Sequence, residues 1–316
     1  GYYIATIHET MDDRYVVTDH ACGRGVFSSI VKAKDKDLAP VAIKVIRANE
    51  AFAKPAKREI EILEALQAAD GHGKHFIVQM LSTFQYRGHV CIVFECMWDD
   101  CREALRKLTK GKGMTLLVVR AYAQQLLLGL RHMEKCKILH LDIKPDNILI
   151  SEDQTTVKYC DFGTAAEVGE AETTGYIMSR SYRAPEIILG VMPDCSADTF
   201  SLACALYELF TGKMLFNGRS NHDQLRKIMD VKGNVPAESI KAGVLWKKHF
   251  DDKFVFKADL EADLRHSPAD DVENPLKLKI QKLKAQMETF PKQQLQDLVF
   301  ERVGHERCKS SKPEDQ

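Results

Sequence analysis

The stretch Ile138–Ile150, ILHLDIKPDNILI, sets two apolar runs, Ile138-Leu139 and Ile148-Leu149-Ile150, around His140, Asp142, Lys144, Asp146 and Asn147. The apolar ends read as short buried strands and the polar middle as the loop between them. A carboxylate, an ammonium and a carboxamide on one loop with a rigid base are well placed for chemistry, because fixed scaffolds present their reactive groups on such loops. Taken alone, the window is read equally well as an ordinary polar turn. The rest of the chain has to decide.

With 316 residues the chain can bury a substantial core, as two domains or as one two-lobed unit. Its 45 Lys and Arg balance 45 Asp and Glu, so charge gives no reason to expect non-specific binding to nucleic acid or to a membrane surface. Apolar runs such as TLLVV, Thr115–Val119, are too short to cross a bilayer, and the start GYYIATIHETMDDR lacks the pattern of a signal peptide. Nine cysteines without a CxxC pair argue against a disulfide framework and against a zinc site. They lead to the expectation of a reducing compartment, cytosol or nucleus.

Up to about Glu95 the pattern is strand-rich, as in Val41–Arg47 and His89–Glu95. One interruption, Pro55–Ala69, has helical spacing and is predicted to start at Pro55, where a first turn tolerates proline. From Asp99 onward helical spacing takes over, as in Val119–Glu134 and Asp198–Phe210. A small β-rich lobe followed by a larger helical one is expected, with Phe94–Asp100 as the linker. Further on, Leu276, Ile280, Leu283, Met287 and Phe290 predict an amphipathic helix with a basic face from Lys277 to Lys284. Those lysines lack the interleaved aromatics that would stack bases, so direct nucleic-acid binding is not expected.

Past the opening loop, CDFG (Cys160–Gly163) follows the strand-like Thr156–Tyr159, and RAPE spans Arg183–Glu186. Upstream are VAIK, ending in Lys44, then Glu59 in the helical segment, and before both CGRGVFSSI, Cys22–Ile30. Each is weak alone. In this order they make up the signature set of protein kinases.

From Tyr15 to about Gly233 the chain resembles a eukaryotic protein kinase. SRSYRAPEI (Ser179–Ile187) and the long segment after LFTGKMLFNG (Leu209–Gly218) are similar to the group of cyclin-dependent, mitogen-activated and dual-specificity tyrosine-regulated kinases. GYY, GRGVFS, HLDIKPDNIL, TGKMLF and MDVKG look most like the nuclear pre-mRNA-processing serine/threonine kinases that act on the spliceosome. The resemblance implies an α+β, bilobal kinase fold. The N-lobe would cover residues 1–97, with a short N-terminal extension, and the C-lobe 98–316, with a group-specific insert at about 234–316. It also implies ATP and Mg²⁺ as cofactors, protein substrates among splicing factors, a nuclear location and a monomer.

Phosphoryl transfer asks a protein mainly for positioning and for neutralising phosphate charge. Lys44, held by Glu59, would meet the α- and β-phosphates. Asp161 and Asn147 are oxygen ligands suited to Mg²⁺. Asp142 would accept or orient the proton of the attacking hydroxyl, and Lys144 would reach the γ-phosphate. His140 is expected to be a packed core residue. As in similar kinases, adenine would lie between the lobes with Phe94 at the back and its edge on the Glu95 carbonyl and the Met97 backbone. Gly23, Arg24, Gly25, Val26, Phe27, Ser28, Val31, Ala42, Leu149 and Cys160 would line the rest of the nucleotide site, Cys160 as an inert filler.

Three departures stand out. Ser28 replaces the third glycine of the family's loop, as in the resembled spliceosomal kinases. Leu141 replaces the arginine that in many kinases binds a phosphorylated activation loop, and leucine cannot pair with phosphate. Tyr176 precedes Arg180 and Arg183 as in kinases where two arginines clamp a phosphotyrosine, so autophosphorylation of Tyr176 is expected. Lastly, no segment after Met287 resembles the closing helices or the arginine that pairs with the glutamate at Glu186, which suggests a truncated chain. Asp198 would still anchor the catalytic loop. The competing reading is a pseudokinase scaffold, but such chains commonly lose one of Lys44, Glu59, Asp142, Lys144, Asn147 and Asp161, all present here.

Overall fold

The computed structural model describes residues 1–24, 27–70, 75–171 and 177–257, with side chains left out for 20–24. Alternating apolar residues build the first sheet: β1 (Thr10–Met11), β2 (Tyr15–Arg24), β3 (Ser28–Lys34) and β4 (Pro40–Ile46). Helix α1 (Glu50–Ala69) follows, then β5 (Met80–Tyr86) and β6 (His89–Glu95). The six strands pair antiparallel in the order β1-β2-β3-β4-β6-β5. Because strand side chains alternate between faces, Val41, Ile43 and Val45 fall into one apolar cluster with Val17, Val31 and Val93. Ala42, Ile92 and Phe94 face the other way, where Ile62, Leu63 and Leu66 of α1 pack onto them.

The helix starts earlier than its periodicity suggests. The side chain of Asn49 accepts a hydrogen bond from the N–H of Ala51, so α1 begins at Glu50 and Pro55 stands inside it. An N-cap that satisfies an orphan donor outweighs the proline signal read as a start. Ala56, Glu59, Ile62, Leu63 and Leu66 then form the buried stripe.

Of the expected linker, Phe94 and Glu95 belong to β6, and Asp99–Asp100 form β7. The second lobe continues with α2 (Cys101–Thr109), α3 (Leu116–Lys135), β8 (Ile138–Leu139), β9 (Ile148–Ile150), β10 (Val157–Tyr159) and β11 (Ala166–Glu167). Helices α4 (Pro185–Leu189), α5 (Cys195–Thr211), α6 (Asn221–Lys232) and α7 (Ala237–Ala242) complete the described elements. The two apolar ends of the opening stretch are strands, but they do not pair with each other. β8 pairs with β11, while β9 lies between β10 and β7. The polar loop between them is therefore braced on both sides.

α5 is the axis of this lobe. Asp194 caps it, and Ala197, Asp198, Ser201, Leu202, Ala205, Leu209 and Phe210 are among its buried residues. α3 packs along it, and a continuous apolar cluster runs from Phe94 through Leu126, Ile148 and Phe162 to Leu209. Among the described residues no helix is long and apolar enough to cross a membrane. The amphipathic helix expected around Leu276–Phe290 lies outside the described residues.

α5 ends at Gly212, in the left-handed region at φ 75°, where an added Cβ would come within 1.9 Å of the Gly111 carbonyl. Gly212→Ala should cost roughly 2 kcal/mol or more, from the left-handed strain plus that clash. Gly88→Ala, at φ 79° in open space, carries the strain alone and serves as its reference. Urea unfolding of both variants measures the difference, and equal losses would contradict the close approach.

Candidate active site

Three side chains from distant parts of the chain meet where the lobes face each other. The Lys44 ammonium lies 2.6 and 2.9 Å from the two carboxylate oxygens of Glu59, and 2.8 Å from Oδ1 of Asp161. Lys44 is set on the cleft face of β4 because Ile43 and Val45 fill the opposite face, and Glu59 sits on the buried stripe of α1. Desolvation disfavours a buried ammonium, but Glu59 and Asp161 outweigh it and hold Lys44 above its ordinary value. Burial pushes the Asp161 carboxyl up, yet Lys44 more than reverses this and leaves it below the usual carboxylate range. Asp161 itself is in the left-handed region at φ 61°, followed by Phe162, which is buried against the His140 ring at 4.7 Å between centroids.

The opening loop is over-determined in the same way. Leu141 has φ 62°, a costly conformation for a residue with a branched side chain. Asp198, buried on α5, accepts from the His140 N–H at 2.7 Å and the Leu141 N–H at 2.9 Å, which fixes this turn. His140 is fully buried; its Nδ1 accepts from the Asp142 N–H at 3.3 Å, so Nε2 donates to the Cys160 carbonyl at 3.0 Å. It is a packing residue that ties Asp142 to the segment of Asp161.

The Asp142 carboxylate is held from three sides. Lys144 Nζ donates to Oδ2 at 2.7 Å, Asn147 Nδ2 to the same oxygen at 3.0 Å, and the Ser179 hydroxyl to Oδ1 at 2.7 Å. Lys144 also reaches the Ser179 hydroxyl at 3.1 Å. Ser179 is a site residue that sequence reading missed. A serine 37 positions away in an irregular segment carries no signal of its contact with Asp142 until the chain is folded.

The nucleotide side of the cleft is built on the sheet. Ala42 is paired with Phe94, and both belong to the apolar cluster against which Leu149 and Cys160 pack. Burial, with the Asp161 charge beside it, pushes the Cys160 thiol well above its ordinary value, leaving an unreactive filler. The Glu95 carboxylate bridges to Lys158 at 2.7 Å, and its N–H donates to the Gln79 carbonyl. The Met97 N–H has no protein acceptor among the described residues. Gly23 and Arg24 pair with Ile30 and Ser29 at the mouth of the β2–β3 hairpin, Phe27 is exposed, and Ser28 is buried at the start of β3. Gly25 and Val26 lie outside the described residues.

One position has to be corrected. Val31 is paired with Ile43 and buried in the cluster on the far face of the sheet, so it does not line the cleft. Ile30, paired with Lys44, is on the cleft face. A one-residue shift in strand register moves a side chain to the other face.

The donor set fits a hard divalent cation. Asp161 offers a half-exposed carboxylate, and Asn147, with its amide nitrogen committed to Asp142, has its carbonyl oxygen to offer as a ligand. Among the described residues no cluster of three His, Cys, Asp or Glu could hold a metal by itself. A cation here needs oxygens from a bound phosphate chain, as Mg²⁺ sites commonly do.

The profile described as "Protein kinase domain" matches residues 16–309. The chain belongs to the protein kinase domain family. Among similar curated proteins, the serine/threonine-protein kinase prp4 of Schizosaccharomyces pombe is 37% identical over 328 residues, covering 99% of this chain and 66% of its own length. The serine/threonine-protein kinase prpf4B of Dictyostelium discoideum is 39% identical over 321 residues, covering 99% of this chain and 39% of its own. The chain thus spans about two thirds of the length of the first relative and about two fifths of the second.

In this chain Leu141 is buried, and acidic charges on the segment after Asp161 are met from α1. Arg58, next to Glu59, reaches Glu167 at 3.0 Å and Glu170 at 2.7 Å. Arg183 is buried and donates to the carbonyls of Ile177 and Met178 and to the Asn221 side chain, while Arg180 is exposed and donates to the Arg219 carbonyl. Tyr176 lies outside the described residues. Glu186 forms no ion pair among the described residues, and burial pushes its carboxyl up.

The Asp161 shift has a readable consequence. Its folded value lies below the unfolded one of about 4, so its contribution to stability is present above that pH and is lost as pH falls through the folded value. The difference in unfolding free energy between the unaltered protein and Asp161→Asn should stay level from pH 7 to about 5 and shrink below about 4. A difference unchanged down to about pH 2 would contradict the ion pair.

Proposed function

We propose that this chain is an active serine/threonine protein kinase, using ATP and Mg²⁺, and not a silent scaffold. The observation that carries the proposal is the simultaneous assembly of Lys44, Glu59 and Asp161 on one side of the cleft and Asp142, Lys144 and Asn147 on the other. Two relatives over 99% of the chain bear the name of serine/threonine-protein kinase, which supports the same reading.

In this reading Asp142 orients the substrate hydroxyl and takes its proton as the oxygen attacks the γ-phosphorus. The bond from that phosphorus to the bridging oxygen breaks, and ADP leaves. Lys144 neutralises charge gathering on the transferred group, and Lys44 holds the phosphates that stay behind. Asn147 and Asp161 would bind the Mg²⁺, which supplies charge neutralisation between the phosphate oxygens. Ser179, on both Asp142 and Lys144, aligns the two before substrate arrives. Phe94, Ala42, Leu149 and Cys160 form an apolar floor for adenine, and the Met97 N–H is a donor for its edge.

The finer reading follows the resemblance to pre-mRNA-processing kinases: protein substrates among splicing factors, a nuclear location and a monomeric enzyme. Tyr176 is proposed as an autophosphorylation site. Arg180 is exposed and Arg183 donates to the carbonyls of Ile177 and Met178, and two arginines four and seven positions after a tyrosine suit a phosphate carried by it.

Two measurements test this. Transfer of γ-phosphate to a Ser/Arg-rich protein should fall about 10²–10⁴-fold in Asp142→Asn, as for loss of a general base, while nucleotide binding persists. Equal inactivity of both proteins would favour the scaffold. Intact-mass analysis with peptide mapping should find a phosphate on Tyr176 of active recombinant protein, and its absence there would refute the autophosphorylation.

A further inference from the structure

A cluster the chemistry above does not use lies on the substrate side of the catalytic loop. Arg102, the second residue of α2, spends all three of its guanidinium nitrogens on groups from three other elements. Nε donates to Asp146 at 3.0 Å, Nη1 to Glu208 at 2.5 Å and Nη2 to the Tyr182 hydroxyl at 2.6 Å, and that hydroxyl in turn donates to the second Glu208 oxygen. Asp146 is next to Asn147 in the catalytic loop. Tyr182 is three residues past Ser179, which holds Asp142. A protein chain presenting its hydroxyl to Asp142 must run close to this cluster.

Two carboxylates and a phenol converge, Glu208 almost fully buried and Asp146 open to solvent, and a single guanidinium is the shared partner. Paired carboxylates beside a phosphoacceptor site are the recognition chemistry for an arginine of an incoming peptide, bound by forked hydrogen bonds. Here the chain supplies that arginine itself.

We propose that Arg102 is a specificity-determining residue: it fills from within an acidic subsite beside the catalytic loop and so relieves the substrate of any need for a basic side chain there. The proposal rests on the kinase reading. Its ligand class is the side chain of arginine, brought by the substrate only when Arg102 is gone. A purely structural tie between α2 and α5 would instead leave peptide preference unchanged on removal.

The experiment compares kcat/KM on matched serine peptides that differ by one Arg or Ala at each position flanking the acceptor. The wild type is expected to be indifferent, within about twofold, at the subsite position. Arg102→Met keeps the apolar stem and exposes the carboxylates, and should gain a preference of tenfold or more for Arg at one position, expressed in KM. Adding Glu208→Gln to that variant should cancel the gain, and Arg102→Lys should keep the wild-type indifference. An active Arg102→Met with no new preference overturns the proposal, as does a wild type that strongly selects Arg at every position, a result readable even if the variants do not fold. A wild type that phosphorylates none of the peptides counts against the kinase reading instead, because this subsite has no bearing on basal transfer to Ala-containing peptides.

Discussion

A buried ammonium must be paired, and the pairing of Lys44 is the constraint on which the rest of the structure turns. Isolating such a charge from water is far more expensive than any single packing contact can offset. The chain resolves this by bringing Glu59 from α1 and Asp161 from the start of the activation segment to the same atom. Helix α1 thereby docks on the sheet at one rotation, and the Asp161 end of the second lobe is drawn onto the first, beside the ties of Arg58 to Glu167 and Glu170. The two lobes are thus tied together at the phosphate side of the cleft before any phosphate binds. An ammonium already surrounded by oxygens is also set to exchange part of that shell for phosphate oxygens.

A second restraint keeps the opposite wall in place. Asp198 clamps two consecutive N–H groups of a turn whose Leu141 is left-handed, and the turn aims Asp142 at the cleft. The strain is local and the compensation comes from α5, the most buried helix of its lobe. Ser179, Lys144 and Asn147 then share the Asp142 carboxylate among themselves. The groups proposed to act in phosphoryl transfer are thus positioned by neighbours that are themselves fixed, as low reorganisation requires.

Much of this was legible in the sequence, for a physical reason. Lys44, Asp142, Lys144, Asn147 and Asp161 lie in short motifs beside apolar runs, such as Ile43 and Val45 or Ile148 and Ile150, that announce buried strands, and Glu59 lies in a segment of helical spacing. What could not be read fell into two kinds. The helix start and the face of Val31 depended on a cap at Asn49 and on a register of one residue, both local choices that periodicity leaves open. Ser179 and Arg102 depended on contacts spanning 37 and 106 residues, which only the folded chain creates. Among the described residues Glu186 forms no ion pair, and the expected helix from Leu276 lies outside them.

The most direct measurement is a double-mutant cycle on phosphoryl transfer, with Lys44→Met, Glu59→Gln and the pair. If Glu59 acts through Lys44, the two losses are strongly coupled, and the pair should transfer phosphate no more slowly than Lys44→Met alone. Losses that simply multiply would mean that the two side chains act independently, and the contact at the centre of this structure would not be what organises the site.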